Sequence, residues 1–311
     1  MTVVAEWRAV TKRYGAVTAL DHVSLPLVAG EATALVGHNG AGKTTLIKLL
    51  LGLIRPDAGT VRVRGTDPAG RGAAQVRRTI GFLPESVAFH GAMTGHELMA
   101  FYARLKGAPS RLNAELLERV GIAHAAHRRL ATYSKGMRQR LGIAQALIGE
   151  PQLLLFDEPT SGLDPASRRD VYEMVDRLRS GGATVLISTH ALAEVQQRVD
   201  RAAIMHGGRL LAAGTLAELR QGVAAEVRIR LQVRTCSITT VLALLPPQAR
   251  CIERSGTQLT LLVAPEAKMA TLRAIAQAGE VVEDLDLAAP GLQELYSHLV
   301  GAAQEEEGEA P

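Results

Sequence analysis

Two cysteines, Cys236 and Cys251, are all that this chain of 311 residues contains, and neither sits in a C-x-x-C pair. That count leaves no room for a disulfide framework or a cysteine-built zinc site. No apolar run reaches the ~18 residues that a membrane-spanning helix needs. The start, Met1 to Trp7, lacks the basic, apolar and small-residue stages of a secretory signal. The chain is therefore expected in the cytosol, reaching a membrane only through a partner. Aromatic residues make up just 3%, and the 35 Lys and Arg against 31 Asp and Glu (net charge +4) are scattered rather than blocked. Nucleic acid is not an expected partner. What is present is ordinary: 47% hydrophobic and 21% charged residues, enough for packed cores in about two domains at this length.

The most informative stretch is Gly37-His38-Asn39-Gly40-Ala41-Gly42-Lys43-Thr44, followed by Thr45. It is a complete G-x-x-x-x-G-K-[ST] pattern between an apolar run, Ala32 to Val36, and a helical pattern, Leu46 to Leu53. Glycines let backbone N–H groups crowd around a triphosphate, and the helix N-terminus beyond adds positive potential. Lys43 is placed to reach the β- and γ-phosphates, and the Thr44 hydroxyl to hold Mg²⁺. A nucleotide site is expected here.

Short β-like runs occupy residues 3 to 36, and Val61–Val63 and Thr79–Leu83 read as further strands. Helical spacing takes over from about 86 to 150. Leu153–Phe156 is a continuous apolar run, the mark of a strand buried on both faces, and Thr184–Ser188 reads as another buried strand. Strands alternating with helices predict a parallel α/β core with a helical insertion. From 222 to 301 a β-α-β-β-α-β-α order predicts a small α+β domain of ferredoxin-like type. Residues 302–311, rich in glutamate, are expected to form a disordered acidic tail.

Two more segments bear on chemistry. Asp157 and Glu158 follow a buried strand and would face the crevice that holds the phosphate loop, Asp157 toward Mg²⁺ and Glu158 as general base for a hydrolytic water. Tyr133-Ser134-Lys135-Gly136-Met137 opens a helix, with Ser134 as N-cap by type. With its amides it offers a second anion-binding N-terminus, useful if it closes on the nucleotide from another chain.

With these in order the sequence resembles the ATP-binding-cassette (ABC) ATPases over about residues 1–221. The phosphate loop at 37–45, the signature at 133–137 and the strand-end carboxylates at 153–158 carry the resemblance. So do Ser161-Gly162-Leu163-Asp164, similar to the family's D-loop, and Ser188-Thr189-His190, similar to its switch histidine. Tyr14 falls where the family stacks an aromatic on adenine. The resemblance implies ATP and Mg²⁺, and a head-to-tail homodimer in which Ser134 and Gly136 of one copy meet the γ-phosphate held by the other. His190 would sense that phosphate and Asp164 would link the two sites. Lys135 replaces the first signature glycine and Met137 the glutamine. Glu85 stands where a glutamine is usual and would still hold Mg²⁺ or its water. The segment from Glu85 to Arg104, with Phe89, Met93, Leu98 and Phe101, would dock an integral membrane permease, two copies per transporter. The cassette would then work peripherally on the cytoplasmic side of an inner membrane.

Within the family, His38-Asn39-Gly40, Phe82 to Val87 and Tyr133 to Gly142 resemble the ATPase of the system that matures the copper centres of nitrous oxide reductase. That likeness implies copper or sulfur handling and a periplasmic copper-handling protein behind the permease. The alternative is the ATPase of a drug, lipid or polysaccharide exporter; a non-transport ABC protein is a third reading. His124 and His127 share helical spacing but do not read as a copper site.

Overall fold

The computed structural model describes residues 2–223, 226–234 and 237–308; Cys236 lies outside them. The chain divides into two units, Met1–Thr215 and Leu216–Pro311. The first unit runs β1 (Val3–Tyr14), β2 (Val17–Val28), β3 (Ala32–Val36), α1 (Lys43–Leu50), β4 (Ala58–Val63), α2 (Ala73–Arg78) and β5 (Ile80–Leu83). The helices α3 (Gly95–Lys106), α4 (Asn113–Arg119) and α5 (Lys135–Leu147) follow. It ends with β6 (Leu153–Asp157), α6 (Pro165–Ser180), β7 (Thr184–Thr189), α7 (Leu192–Val195), β8 (Arg201–His206) and β9 (Arg209–Gly214).

Strands β2-β1-β4 form an antiparallel sheet. The other sheet has the order β5-β6-β7-β3-β8-β9, parallel throughout except for β9. The apolar runs at β6 and β7 have a direct cause. Leu153 and Leu155 face one core, with Trp7, Leu46, Ile47 and Met205, while Leu154 and Phe156 face the other, with Met99, Leu141 and Val175. In β7, Leu186 joins the first core and Val185 and Ile187 the second. Side chains alternate faces along a strand, so a strand covered on both sides is apolar at successive positions through its middle. The antiparallel sheet and α1 thus cover one face, and the helical insertion and α6 the other.

The insertion is pinned locally. Thr94 and Glu97 form a reciprocal capping box at the start of α3. At its end Lys106 donates to the carbonyls of Ile80 (3.2 Å) and Ile148 (2.9 Å), tying α3 to the base of β5 and the end of α5. Three of the four expected docking residues turn inward. Leu98 is buried in the core and Phe89 and Met93 pack against it, because α3 needs an apolar face of its own. Phe101 remains exposed, joined by Leu105.

The second unit comprises α8 (Leu216–Val223), β10 (Val227–Val233), α9 (Ile238–Leu244), β11 (Ala249–Ser255), β12 (Gln258–Val263), α10 (Lys268–Gln277), β13 (Val282–Ala288) and α11 (Leu292–Gly308). Its sheet, β11-β12-β10-β13, is antiparallel throughout, and alternate residues of β10 and β12 bury against Ile238, Val241 and Ile275. The boundary falls six residues before the expected one, because α8 belongs with α11; Arg220 Nε donates to the Pro290 carbonyl at 2.7 Å. A second correction concerns the tail. Helix α11 continues to Gly308 where disorder was expected from 302. Ala302, Ala303, Gln304 and the three glutamates after them are good helix formers, so a helix already nucleated at Leu292 propagates through them. Residues 309–311 lie outside the described part. Among the described residues no helix is long and apolar enough to cross a membrane.

Candidate nucleotide-binding site

A cleft of about 520 Å³ opens at the carboxyl ends of the parallel strands, lined by Tyr14, Ala19, Asn39 to Thr45, Glu85, Asp157, Glu158, Ser161 and His190. A larger one of about 680 Å³ lies at the opposite end of the same sheet, against Gly30, Gln152 and Thr184. Only the first holds the phosphate-loop motif, and ligands in open α/β sheets bind at carboxyl ends.

The loop is shaped by two glycines. Gly42 has φ +100°, and a β-carbon there would lie 2.7 Å from both the Ala19 carbonyl oxygen and Leu20 Cδ2. Gly37 lies beneath the loop, where a β-carbon would sit 2.6 Å from the Met205 carbonyl oxygen. Lys43 is buried, and its ammonium donates to the carbonyls of Gly37 (2.6 Å) and His38 (3.2 Å). It also lies 3.7 Å from Glu158 Oε1. His38 is outside the cleft, its Nδ1 2.6 Å from the Asn39 carbonyl oxygen and its ring 4.9 Å from that of His206.

Across the cleft, Thr44 Oγ1 donates to Asp157 Oδ2 at 3.1 Å. Ser188, wholly buried, donates its hydroxyl to Asp157 Oδ1 and accepts the Glu158 N–H at 3.0 Å. Ser188 is the member of the site that sequence reasoning passed over, although it stands two residues before His190. Glu158 adopts φ +47°, which aims its carboxylate back into the cleft. Its Oε2 lies 2.9 Å from His190 Nδ1, and its Oε1, buried, has no hydrogen-bond partner. A hydroxyl beside one carboxylate, with Glu85 at the rim, is a hard-oxygen donor set suited to Mg²⁺. The orphaned Glu158 oxygen suits an acceptor awaiting a water proton.

Ser134, Gly136 and Asp164 do not line this cleft. Ser134 caps α5 by accepting the Met137 N–H at 3.2 Å. Asp164 caps α6, accepting from the Ala166 and Ser167 amides and from the Ser167 hydroxyl at 2.6 Å. That hydroxyl, with the Ser167 amide, holds the Asp164 carboxyl below its ordinary range. One chain thus carries two anion-binding helix starts at separate places, one of them with no phosphate cradle beside it.

A family model described as ABC transporter matches residues 20–161. The chain is 39% identical over 301 residues to the daunorubicin resistance ATP-binding protein DrrA3 of Streptomyces coeruleorubidus, covering 93% of each. The chain belongs to the ATP-binding subunits of ABC transporters. It is also 32% identical to the linearmycin resistance ATP-binding protein LnrL of Bacillus subtilis, over 94% of this chain and 96% of that one. A solved ATP-binding subunit of an ABC transporter superposes with TM-score 0.65 and 33% identity, over 71% of this chain and 93% of the other. As a member of this family, the ABC ATPase binds ATP and hydrolyses it.

Proposed function

We propose that this chain is the motor of an exporter for drug-like or antibiotic-like molecules, acting as two copies on two membrane permease subunits. The observation that carries this reading is the length of the likeness to the daunorubicin resistance protein: 301 residues, well past the cassette and into the second unit. The relatives reported above are named for drug and antibiotic resistance, which favours the exporter alternative over maturation of a copper enzyme. The His127 ring stacks on that of His96 at 5.5 Å.

In this reading ATP lies between Lys43 of one copy and Ser134 and Gly136 of the other, with Tyr14 against the adenine. Two such sites are related by a two-fold axis. Mg²⁺, held by Thr44 and Asp157 with Glu85 at its water shell, would neutralise charge on the phosphate oxygens. Lys43 turns from the loop carbonyls to the β- and γ-phosphates. Glu158 accepts a proton from the attacking water through Oε1, which has no hydrogen-bond partner, while His190 fixes the other oxygen. Asp164, already capping α6, carries contact between the copies. Phosphoryl transfer needs positioning and charge stabilisation more than covalent help, and the cleft supplies both. Loss of the γ-phosphate removes what joins the halves, and the permeases feel that opening through the exposed Phe101 and Leu105.

The test is resistance. The chain is expressed with a candidate membrane permease from the same genome in an anthracycline-sensitive host. A rise in the inhibitory concentration that Glu158→Gln abolishes supports the reading. No change in resistance, with loss of copper from nitrous oxide reductase on deleting the gene, would return the copper-enzyme role.

A further inference from the structure

The cavity of about 680 Å³ at the amino ends of the parallel strands takes no part in the nucleotide chemistry. Every residue that lines it belongs to the first unit. Two of the turns around it, at Gly149 (φ +77°) and Gly182 (φ +87°), lie in the left-handed region that favours glycine. A β-carbon on Gly182 would meet nothing within 4 Å, so the space beside that turn stays open. The phosphate loop uses the carboxyl ends of the strands, where ligands of open α/β sheets gather; here the polar groups come from helix ends instead.

The apolar part of the lining is aliphatic. Leu116, Leu147, Leu154 and Leu178 contribute to it, all buried, and among the described residues no aromatic ring does. Asn113, at the start of α4, lines the same cavity with only 3% of its surface exposed. Its side-chain amide makes no hydrogen bond among the described residues, and a buried amide without a partner is costly. Three arginines also line the cavity: Arg119 in the last turn of α4, Arg177 in the last turn of α6, and Arg64, the residue after β4. A cation at a helix C-terminus is favourable in itself, but both of these helix ends open on one cavity. The guanidinium groups of Arg64 and Arg119 make no ion pair or hydrogen bond among the described residues, and Arg177 gives only its Nε, to the Glu173 carbonyl at 3.3 Å. Glu115 and Glu150 line the cavity too, so three cations against two carboxylates leave one positive charge in surplus. A largely apolar hollow of this size with a few polar groups is the usual make-up of a small-molecule site.

We propose that this cavity binds a singly charged aliphatic carboxylate, a molecule of the fatty-acid kind. The alkyl body lies on the leucines. The carboxylate takes the guanidinium fork of Arg119 or Arg64, and Asn113 donates its amide to the same head. One negative charge matches the surplus of the lining, and a wall without rings suits an alkyl body better than an aromatic one. The site is separate from the nucleotide cleft, whose lining shares no residue with it, and it does not depend on what the transporter carries.

The test is calorimetric titration of the full-length chain with decanoate, and with decyltrimethylammonium and decyl phosphate for comparison. Decanoate binds saturably at one site per chain. Decyltrimethylammonium, the same tail with the opposite charge, binds at least about tenfold more weakly. Arg119→Ala weakens decanoate binding about tenfold, as expected for one charge-assisted pair, and Glu115→Gln tightens it. Both positions are exposed, so the fold survives either change. Asn113→Leu weakens binding without lowering the melting temperature, because no hydrogen bond within the chain is lost. A fluorescent ATP analogue keeps its affinity when decanoate is present. Binding that never saturates, equal binding of the cationic amphiphile, or decanoate affinity unchanged by both Arg119→Ala and Asn113→Leu would refute the site. Tighter binding of decyl phosphate than of decanoate would overturn the singly charged head, and displacement of the ATP analogue by decanoate would put the anion in the phosphate loop instead.

Discussion

Ser188 offers the sharpest test of how the site is built. Its hydroxyl donates to Asp157 Oδ1 and accepts the Glu158 N–H at 3.0 Å, so one buried group orients both carboxylates. Ser188→Ala removes a single oxygen from a fully buried position, too little to open a cavity of consequence. The Glu158 N–H is not orphaned, because it also faces the Ser188 carbonyl at 3.1 Å. Asp157 keeps Thr44 on Oδ2 at 3.1 Å but loses its donor on Oδ1. A hydrogen bond to a charged group is worth about 1.5–3 kcal/mol. If most of that orients the carboxylates for hydrolysis, kcat falls about 10- to 100-fold at 1.4 kcal/mol per decade.

The loss has a signature. In the proposed site Lys43 and the loop amides hold the nucleotide, and Ser188 touches neither, so binding of a fluorescent ATP analogue is expected to change little. The Mg²⁺ concentration for half-maximal rate is expected to rise, because Asp157 is free to turn. Steady-state ATPase assays across a Mg²⁺ titration read both quantities. A Ser188→Ala protein with wild-type kcat and wild-type Mg²⁺ dependence would show that the hydroxyl does not orient the carboxylates.

Other expectations follow from single contacts. Glu158→Gln keeps ATP affinity and loses turnover by at least about a hundredfold, as befits a general base; normal steady-state ATPase activity would contradict the role. Lys43→Ala weakens ATP binding at least about tenfold through loss of charge-assisted bonds, and an unchanged dissociation constant would count against it. Burial lowers the pKa of Lys106 to about 8 from 10.5. Between those values the unfolded chain holds the extra proton, so the lysine's burial penalty is full below pH 8 and fades as pH rises toward 10.5. Urea unfolding of wild type against Lys106→Met should therefore favour wild type increasingly over that window, by on the order of 1 kcal/mol after solvent screening, and a pH-independent gap would refute this. Phe101→Glu with Leu105→Glu should abolish co-purification with the permease while the isolated chain keeps its ATPase rate; retained co-purification would remove these residues from the docking surface.

The parts of the fold that were legible in the sequence are those where one residue type has one use. The phosphate loop could be read because lysine after paired glycines, between a strand and a helix, has few other meanings. Strands β6 and β7 were legible because burial on both faces leaves apolar residues in succession, Leu153 to Phe156 and Val185 to Ile187. Leu98 was not, since periodicity shows only that a helix has an apolar face; a partner subunit and the chain's own core look alike from the sequence. The acidic end misled for another reason: charge suggested disorder, while helix propensity and an upstream nucleus decided the outcome. Ser188 carried no signal, because its role depends on Asp157, distant in sequence and adjacent only across the β6–β7 pairing.

Glu158 shows how the strand end is made to serve chemistry. A residue continuing β6 would point its side chain into one of the two cores, as Leu155 and Phe156 do. A positive φ at a residue with a β-carbon costs on the order of 1–2 kcal/mol, and Glu158 is held at +47°. The strain persists because the surroundings fix it: the Glu158 N–H is gripped by both the carbonyl and the hydroxyl of Ser188. Glycine would remove the strain and asparagine would lessen it, but neither brings a carboxylate to 3.7 Å from Lys43 and 2.9 Å from His190. A backbone turn that is unfavourable in itself, imposed by a neighbouring strand and ending in a buried oxygen with no hydrogen-bond partner and only the Lys43 ammonium at 3.7 Å, makes little sense as packing. It fits the role proposed above for Glu158, a base kept aimed until a water arrives to fill the gap.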